Sequence, residues 1–203
     1  MEHFKYLGSI KAADGTCSKD IITRIGMAKH RMVQLTNVWK DRSIPTLLKT
    51  KILESLVWPI MLYGCESWTT KKADDIRIEA AEMWFYRRLL RISWTERRTN
   101  ESVLQELGRN KKLLSITQQR KLKYIGHASR NKNTDLMKTV LQGKIEAKRK
   151  KGRPAATYIG SLNKSLGIKL QTTSQDSQNR ERWRTIVKSA CVAPTIGIDD
   201  GDR

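Results

Sequence analysis

Two clusters of lysine and arginine are the residues of this sequence whose types and spacing indicate a chemistry. One lies within residues 120–130 and the other within residues 148–153, and the segment 109–153 contains fifteen Lys or Arg and two acidic residues. Lys and Arg neutralise phosphates and release counterions, so clustered positive charge indicates a phosphate-backbone partner. We therefore predict nucleic-acid contacts from the following residues: Arg120, Lys121, Lys123, His127, Arg130, Lys148, Arg149, Lys150, Lys151 and Arg153.

The first cluster has the spacing of an amphipathic helix. Leu122, Ile125 and Ala128 recur at helical intervals, which predicts one packed face. The basic side chains are expected to point away from that face, namely Arg120, Lys121, Lys123 and Arg130. The alternative is a solvated helix face followed by a basic loop with no ligand. Two basic clusters in a chain of formal net charge +20 favour nucleic acid.

The pair Asp74–Asp75 is the part of the sequence that most resembles a metal-dependent catalytic site. Two-metal chemistry needs carboxylates on a rigid element and a third acid from elsewhere. Here Lys72 precedes the pair and an amphipathic helix follows, so both acids are interpreted as first-turn charges that the helix dipole favours. The sequence contains no Gly-rich phosphate loop, CxxC, HxxxH or nucleophile–base pair. We predict no metal site, no cofactor, no small-molecule substrate and no catalysis by this chain alone.

Length and composition limit the class of protein. The 203 residues suffice for one large or two small domains, and 38% hydrophobic content allows a core beside 30% charged residues. No stretch approaches the ~18 apolar residues that span a bilayer, and the N-terminus has no hydrophobic signal region. Three scattered cysteines imply no disulfide framework. These features predict an intracellular protein, nuclear or cytoplasmic, without a membrane partner.

Periodicity predicts a mainly α fold with a short N-terminal β-hairpin. Residues 4–10 alternate, carry aromatic side chains and are followed by Asp14-Gly15, which is typical of a hairpin. Apolar residues three and four apart then predict a series of helices. Their ranges are about 18–39 with a cap at Ser18, 45–60 with a kink or end at Pro59, 70–92, 100–107, 113–129, 135–142, a helix that begins at 154, and a last one that holds Trp183, Ile186 and Val187.

Side-chain roles within the 70–92 helix and after it follow from the same pattern. Its apolar side is predicted to consist of Ile76, Ala80, Met83, Phe85 and Leu90. Trp84 and Trp94 are predicted to lie in the core, and stacking on bases is the alternative for each.

Five short motifs, taken in order, are similar to a known family. They are Phe-Lys-Tyr-Leu-Gly-Ser at 4–9, Leu-Tyr-Gly-Cys-Glu-Ser-Trp at 62–68, Arg-Lys-Leu-Lys-Tyr-Ile-Gly-His at 120–127, Gly-Arg-Pro at 152–154 and Arg-Glu-Arg-Trp-Arg at 180–184. This order resembles the C-terminal part of LINE-type retrotransposon reverse transcriptases, and the match covers nearly the whole chain. Tyr158 stands where the family usually has Trp after Gly-Arg-Pro.

The resemblance implies a role for each region. Phe4, Tyr6, Leu7 and Gly8 would belong to a primer-grip-like hairpin. The helices that follow would resemble a thumb, and the Gly-His and Gly-Arg-Pro region would hold template RNA or target DNA. The palm with its aspartates, the fingers and the endonuclease are absent from the sequence, so the resemblance implies part of a polymerase whose hairpin pairs with a missing palm.

Four regions are therefore expected along the chain. They are a primer-grip-like hairpin at 1–17, a thumb-like helical bundle at 18–108, a basic nucleic-acid-binding helical region at 109–190 and a disordered tail at 191–203. One alternative is a stand-alone DNA-binding protein, because Lys-Gly-Arg-Pro at 151–154 is close to the minor-groove core of an AT-hook. Another is a product of a decayed element that has no function.

Overall fold

The computed structural model describes residues 3–12, 15–130, 158–160, 162 and 176–189. Within these residues the fold is mainly helical, with one antiparallel β-hairpin at the N-terminus, as predicted. The predicted 135–142 helix, the second basic cluster at 148–153 and the tail at 191–203 lie outside the described residues. Over the residues that the structure describes, every helix is too short or too polar to cross a bilayer.

The elements from the first strand to the helix that ends at Arg130 follow one another with short connections. The strands are β1 (His3–Tyr6) and β2 (Ser9–Ala12). The helices are α1 (Ser18–Gln34), α2 (Thr36–Lys40), α3 (Thr46–Leu56), α4 (Trp58–Met61), α5 (Lys72–Leu90), α6 (Asn100–Leu107), α7 (Leu113–Arg130) and α8 (Arg180–Ser189). Among the described residues, 3-10 turns occur at Cys65–Ser67 and Trp94–Glu96.

The hairpin reverses direction at a different place from the one the sequence suggests. β1 pairs with β2 from His3 opposite Ala12 to Tyr6 opposite Ser9, so the turn is Leu7-Gly8 and not Asp14-Gly15. Leu7 and Gly8 both have positive φ, +46° and +77°. That combination is what a two-residue turn needs to match the twist of the two strands. The hairpin is therefore confirmed, with its turn inside the predicted segment 4–10 and its strands reaching to His3 and Ala12.

Most helix boundaries agree with the sequence prediction to within a few residues, but the caps differ. Gly108, at φ +61°, ends α6 as expected, and α3 ends just before Pro59. Ser18 does not cap α1, since Cys17 holds that position and the Ser18 hydroxyl donates to Asp74 Oδ2 at 2.9 Å. This bond joins the starts of α1 and α5.

Two hydrophobic cores share helix α7. The first core is formed by α1 to α6 and by the start of α7, where Leu113 is fully buried. The second core takes Leu122, Ile125 and Ala128 from α7 and packs them against four further buried side chains, namely Ile159, Leu162, Trp183 and Val187. The predicted apolar face of α7 is therefore correct, and α7 connects the two cores.

Helix α5 and Trp94 differ from the predicted burial. Ile76 is 58% exposed and Trp94 is 88% exposed, so neither belongs to the core. The buried residues of α5 are Asp74, Ile78, Ala81, Glu82, Met83, Phe85, Tyr86 and Leu89. Helix α5 packs against both α1 and α7, and its buried surface is therefore wider than one apolar stripe.

A buried carboxylate of α5 holds the start of α7. Glu82 is inaccessible to solvent. Its oxygens accept from the Lys112 amide at 2.7 Å, the Leu113 amide at 3.1 Å and the Tyr86 hydroxyl at 2.7 Å. The first amides of a helix have no partner within it, and a carboxylate is the favoured acceptor at that end. Glu82 therefore fixes where α7 starts on the bundle.

We predict that Glu82→Ala lowers the free energy of unfolding by about 2–4 kcal/mol, because two amides and a hydroxyl lose a buried acceptor. Urea denaturation measures the change. Glu79→Ala is the matched control on the same helix, because Glu79 makes a half-exposed ion pair with Lys111 at 2.8 Å. The control should cost under about 1 kcal/mol. Equal effects of the two substitutions would contradict the capping role.

We also predict a pH dependence from Glu82. Burial raises its pKa above the ordinary 4.5, although its three hydrogen bonds act in the opposite direction. A carboxyl with a raised folded pKa stabilises the fold fully below the unfolded pKa, and that contribution is lost as pH rises through the folded pKa. The stability of the wild type should therefore fall relative to Glu82→Gln, which cannot ionise, as pH rises from about 4.5. Denaturation across pH measures the gap, and a gap of constant size would refute the prediction.

Candidate nucleic-acid interface

Helix α7 presents part of the predicted basic cluster on one exposed face. Lys123 and His127 are both exposed and lie one helical turn apart, and Arg130 follows, partly buried. These three residues were predicted from the sequence as nucleic-acid contacts. They line one side of a cleft of about 610 Å³.

Helix α8 supplies the other side of this cleft. Arg180, Arg184 and Lys188 recur every four residues, so they share one face of α8, and all three are exposed. The basic cleft, as we call it, is lined by Gln119, Lys123, His127, Arg130, Arg180, Trp183, Arg184, Val187 and Lys188. The sequence prediction missed the α8 residues as site residues. The spacing of four between Arg180, Arg184 and Lys188 predicts a basic face on this helix, but it does not predict that the face lies opposite α7.

Three of the positive charges in the basic cleft are not neutralised by any residue that the structure describes. No side-chain hydrogen bond or ion pair joins Lys123, Arg184 or Lys188 to another residue of the described part of the chain. Arg130 Nη1 donates to the Ser177 carbonyl at 2.8 Å. Partial burial, and after it the like charges of Arg180 and Arg184, lower the pKa of Arg130. An anion in the cleft would relieve this repulsion.

A contact between Trp183 and Gly126 holds the two walls of the cleft together. Trp183 is 3% exposed, and its indole Nε1 donates to the Leu122 carbonyl of α7 at 2.9 Å. A Cβ on Gly126 would lie 2.1 Å from that nitrogen. Only glycine at this position lets the indole come so close to the helix. The Gly of the 120–127 motif and the Trp of the 180–184 motif are thus partners.

Arg120 and Lys121 lie on a different side of α7 and attach it to the bundle. The expectation that Lys121 points away from the packed face is wrong, because it is only 3% exposed and its Nζ donates to Thr70 Oγ1 at 3.3 Å. Burial lowers the pKa of Lys121, and the charge of Asp75 acts against this. Arg120 Nη1 donates to the Leu62 carbonyl at 3.2 Å and lies 3.9 Å from Glu66 Oε1.

The remaining predicted phosphate contacts, Lys148, Arg149, Lys150, Lys151 and Arg153, lie outside the described residues. Tyr158, where the resembling family usually has Trp, is described. Its hydroxyl donates to the Glu66 carbonyl, and burial raises its pKa. Tyr158 therefore ties the segment after Gly-Arg-Pro to the 62–68 motif.

The residues that the resemblance assigns to a primer grip form an exposed edge that the bundle supports from one side. Phe4, Tyr6 and Leu7 are 58%, 61% and 74% exposed. The turn is held because Arg24 Nη2 donates to the Gly8 carbonyl at 2.5 Å and the Tyr63 hydroxyl donates to the Leu7 carbonyl at 3.1 Å. The Arg24 guanidinium in turn lies 4.3 Å from the centre of the Tyr63 ring.

Asp74 and Asp75 lie in the first turn of α5, as the sequence predicts. Asp74 is 1% exposed and accepts from the Lys71 amide at 3.2 Å and from Arg77 Nη1 at 2.7 Å. Burial raises the pKa of Asp75, and a hydrogen bond from Thr70 opposes this. Among the described residues, no three His, Cys, Asp or Glu side chains come close enough together to hold a metal ion.

Comparison with known proteins gives one informative similarity. The chain is 26% identical over 145 residues to an uncharacterised transposon-derived protein of Caenorhabditis elegans. The aligned segment covers 70% of this chain and 50% of that protein, so the chain spans about half the length of the relative that it matches. No protein-family model and no solved structure matches the chain.

We predict that Gly126→Ala loosens helix α8 and costs about 1–3 kcal/mol, because the new methyl group overlaps the Trp183 indole. Urea denaturation measures the cost. Gly26→Ala is the matched control, since a Cβ there meets nothing within 4 Å in helix α1. That control should stabilise the protein by about 0.5–1 kcal/mol.

The same contact can be tested by a double-mutant cycle. In a Trp183→Ala background the indole is gone, and Gly126→Ala should cost little because the clash no longer exists. If Gly126→Ala costs the same in both backgrounds, the contact with Trp183 is not the reason for glycine at this position.

Proposed function

We propose that this chain is the nucleic-acid-binding part of a transposon-derived reverse transcriptase of the LINE type, without a catalytic site of its own. It would hold template RNA or target DNA by contacts to the phosphate backbone. The observation that carries the proposal is the basic cleft, in which two helices present six basic side chains towards one space of about 610 Å³.

The arrangement of these side chains suits a phosphate backbone. Four residues of helix rise about 6 Å, so Arg180, Arg184 and Lys188 form a row along α8, and Lys123 with His127 begins a second row on α7. Each neutralised phosphate releases counterions, which gives affinity without selecting a base sequence. The proposal therefore includes little sequence preference.

The transposon origin rests on the similarity to the transposon-derived protein of Caenorhabditis elegans, together with the order of the five sequence motifs. Two of these motifs meet in the contact between Gly126 and Trp183, and two others meet where the Tyr63 hydroxyl donates to Leu7. Motifs that contact one another in pairs support a common structural unit. In the proposal, the palm and its aspartates come from another part of the polymerase.

We predict that the affinity for nucleic acid depends steeply on salt. This salt dependence should become weaker in a triple variant that carries Lys123→Ala, Arg184→Ala and Lys188→Ala. Six phosphate contacts would lower the affinity of the wild type by about a thousandfold between 50 and 200 mM salt. The triple variant should flatten the slope of log K against log salt by about 2–3. The three side chains are exposed and Ala is a good helix former, so the fold should persist. Fluorescence anisotropy with duplex DNA and single-stranded RNA measures both slopes.

The control variant removes the same charge from another surface. Lys40, Arg42 and Lys51 are exposed residues of the α2–α3 region, and none of them lines the basic cleft. Replacing these three by Ala should leave the slope nearly unchanged. Equal losses in both triple variants would mean that net charge alone attracts the ligand. A strong preference for A·T tracts would favour the AT-hook alternative, and no binding by the wild type would favour the product of a decayed element.

A further inference from the structure

Trp94 is far more exposed than any other tryptophan that the structure describes. Its side chain is 88% exposed, whereas Trp39, Trp58, Trp68 and Trp183 are all less than 7% exposed. Trp84 is partly buried and packs against the first core. A tryptophan in water forgoes the large hydrophobic stabilisation that its burial provides. Packing in the core therefore does not explain why this position carries a tryptophan.

The turn that carries Trp94 is tightly constrained. The Ser93 hydroxyl accepts from the Thr95 amide at 3.3 Å, and Glu96 Oε1 accepts from the Ser93 amide at 2.8 Å. Arg91 and Arg97 flank the turn with φ of +62° and +46°, a region that residues other than glycine rarely occupy. Strained backbone of this kind persists where the surroundings fix it, and it gathers at functional sites.

Both ends of the turn are attached to the bundle. Ile92 packs against the first core, and its amide donates to the Arg87 carbonyl at 2.9 Å. On the other side, Arg87 Nη2 donates to the Arg98 carbonyl and Nη1 donates to Asn100 Oδ1, each at 2.9 Å. The indole is thus presented from a fixed position, and a partner would bind it with little ordering cost.

The charge around Trp94 indicates the kind of partner. Arg91 and Arg97 are exposed, and neither forms an ion pair within the described residues. The nearest acid in sequence, Glu96, uses one carboxylate oxygen to close the turn. An exposed aromatic ring, flanked in sequence by two cations that form no ion pair among the described residues, is typical of a surface that stacks a base and attracts its phosphates.

We propose that Trp94, Arg91 and Arg97 form a stacking site for an unpaired base of single-stranded nucleic acid. The indole stacks on the base, and the two guanidinium groups attract the adjoining phosphates. A paired base within a duplex does not offer its face, so this site distinguishes single strands from duplexes. None of the three residues lines the basic cleft, and the site is therefore separate from the one in the proposed function.

The test uses fluorescence anisotropy to measure how tightly the whole chain binds three probes. They are a single-stranded DNA, an abasic strand of the same length and the corresponding duplex. Trp94→Ala should weaken binding to the base-containing single strand by roughly tenfold and leave the other two probes unchanged. Trp94→Phe, which keeps an aromatic ring, should retain most of the binding. Trp94 is exposed, so thermal denaturation should show the same midpoint for all three proteins.

Arg97→Gly tests the cation separately, because glycine accepts the positive φ while the guanidinium and the rest of the side chain are removed. It should weaken binding to the single strand and to the abasic strand alike. The triple variant at Lys123, Arg184 and Lys188 should weaken binding to all three probes. The experiment therefore distinguishes a wrong proposal for the basic cleft from a wrong proposal for the stacking site.

Three results would overturn the stacking site: equal effects of Trp94→Ala on all three probes, no effect on any of them, or no binding of single strands by the wild type. Loss of binding to anionic phospholipid vesicles in Trp94→Ala, with single-strand binding intact, would overturn it in favour of a membrane surface. A change from dimer to monomer in sedimentation, with single-strand binding intact, would overturn it in favour of a second copy of this chain.

Discussion

The close contact between Trp183 and Gly126 is the interaction on which the basic cleft depends. Helices α7 and α8 both carry positive charge, and the pKa of Arg130 is lowered first by burial and then by the like charges of Arg180 and Arg184. Packing of the indole in the second core, with its hydrogen bond to the Leu122 carbonyl, opposes that repulsion. Hydrophobic burial between the two helices thus holds like charges close together around the cleft.

Several acidic side chains are buried where elements of the protein meet. Asp20, Asp74 and Glu82 are each no more than 2% exposed in a chain that has twice as many basic as acidic residues. Asp20 accepts from the Ile10 amide and from the Trp68 indole, each at 2.9 Å, and so joins the hairpin to the bundle. These carboxylates satisfy buried donors at the joints between elements. Asp74 in addition forms an ion pair with exposed Arg77, at 2.7 Å.

Left-handed backbone recurs where the chain exposes apolar side chains. Leu7 and Gly8 turn the hairpin whose Phe4 and Tyr6 are exposed, and Arg91 and Arg97 flank exposed Trp94. In both places side chains of the bundle hold the strained segment, Arg24 and Tyr63 in one and Arg87 in the other. These two constrained segments thus expose aromatic side chains apart from the basic cleft.

The sequence by itself determined the mainly helical fold, the N-terminal hairpin, most helix ranges and the presence of a basic face on α7. These are local properties, because the periodicity of apolar residues, prolines and terminal glycines act within a few residues of the chain. Only the tertiary structure decided that Lys121 is buried, that Trp94 is exposed and that the cations of α8 lie opposite those of α7. Periodicity shows that a helix has a face to bury, but the element that covers this face is distant in sequence. Which residues meet at a site is therefore set by packing between helices, as it is for Gly126 and Trp183.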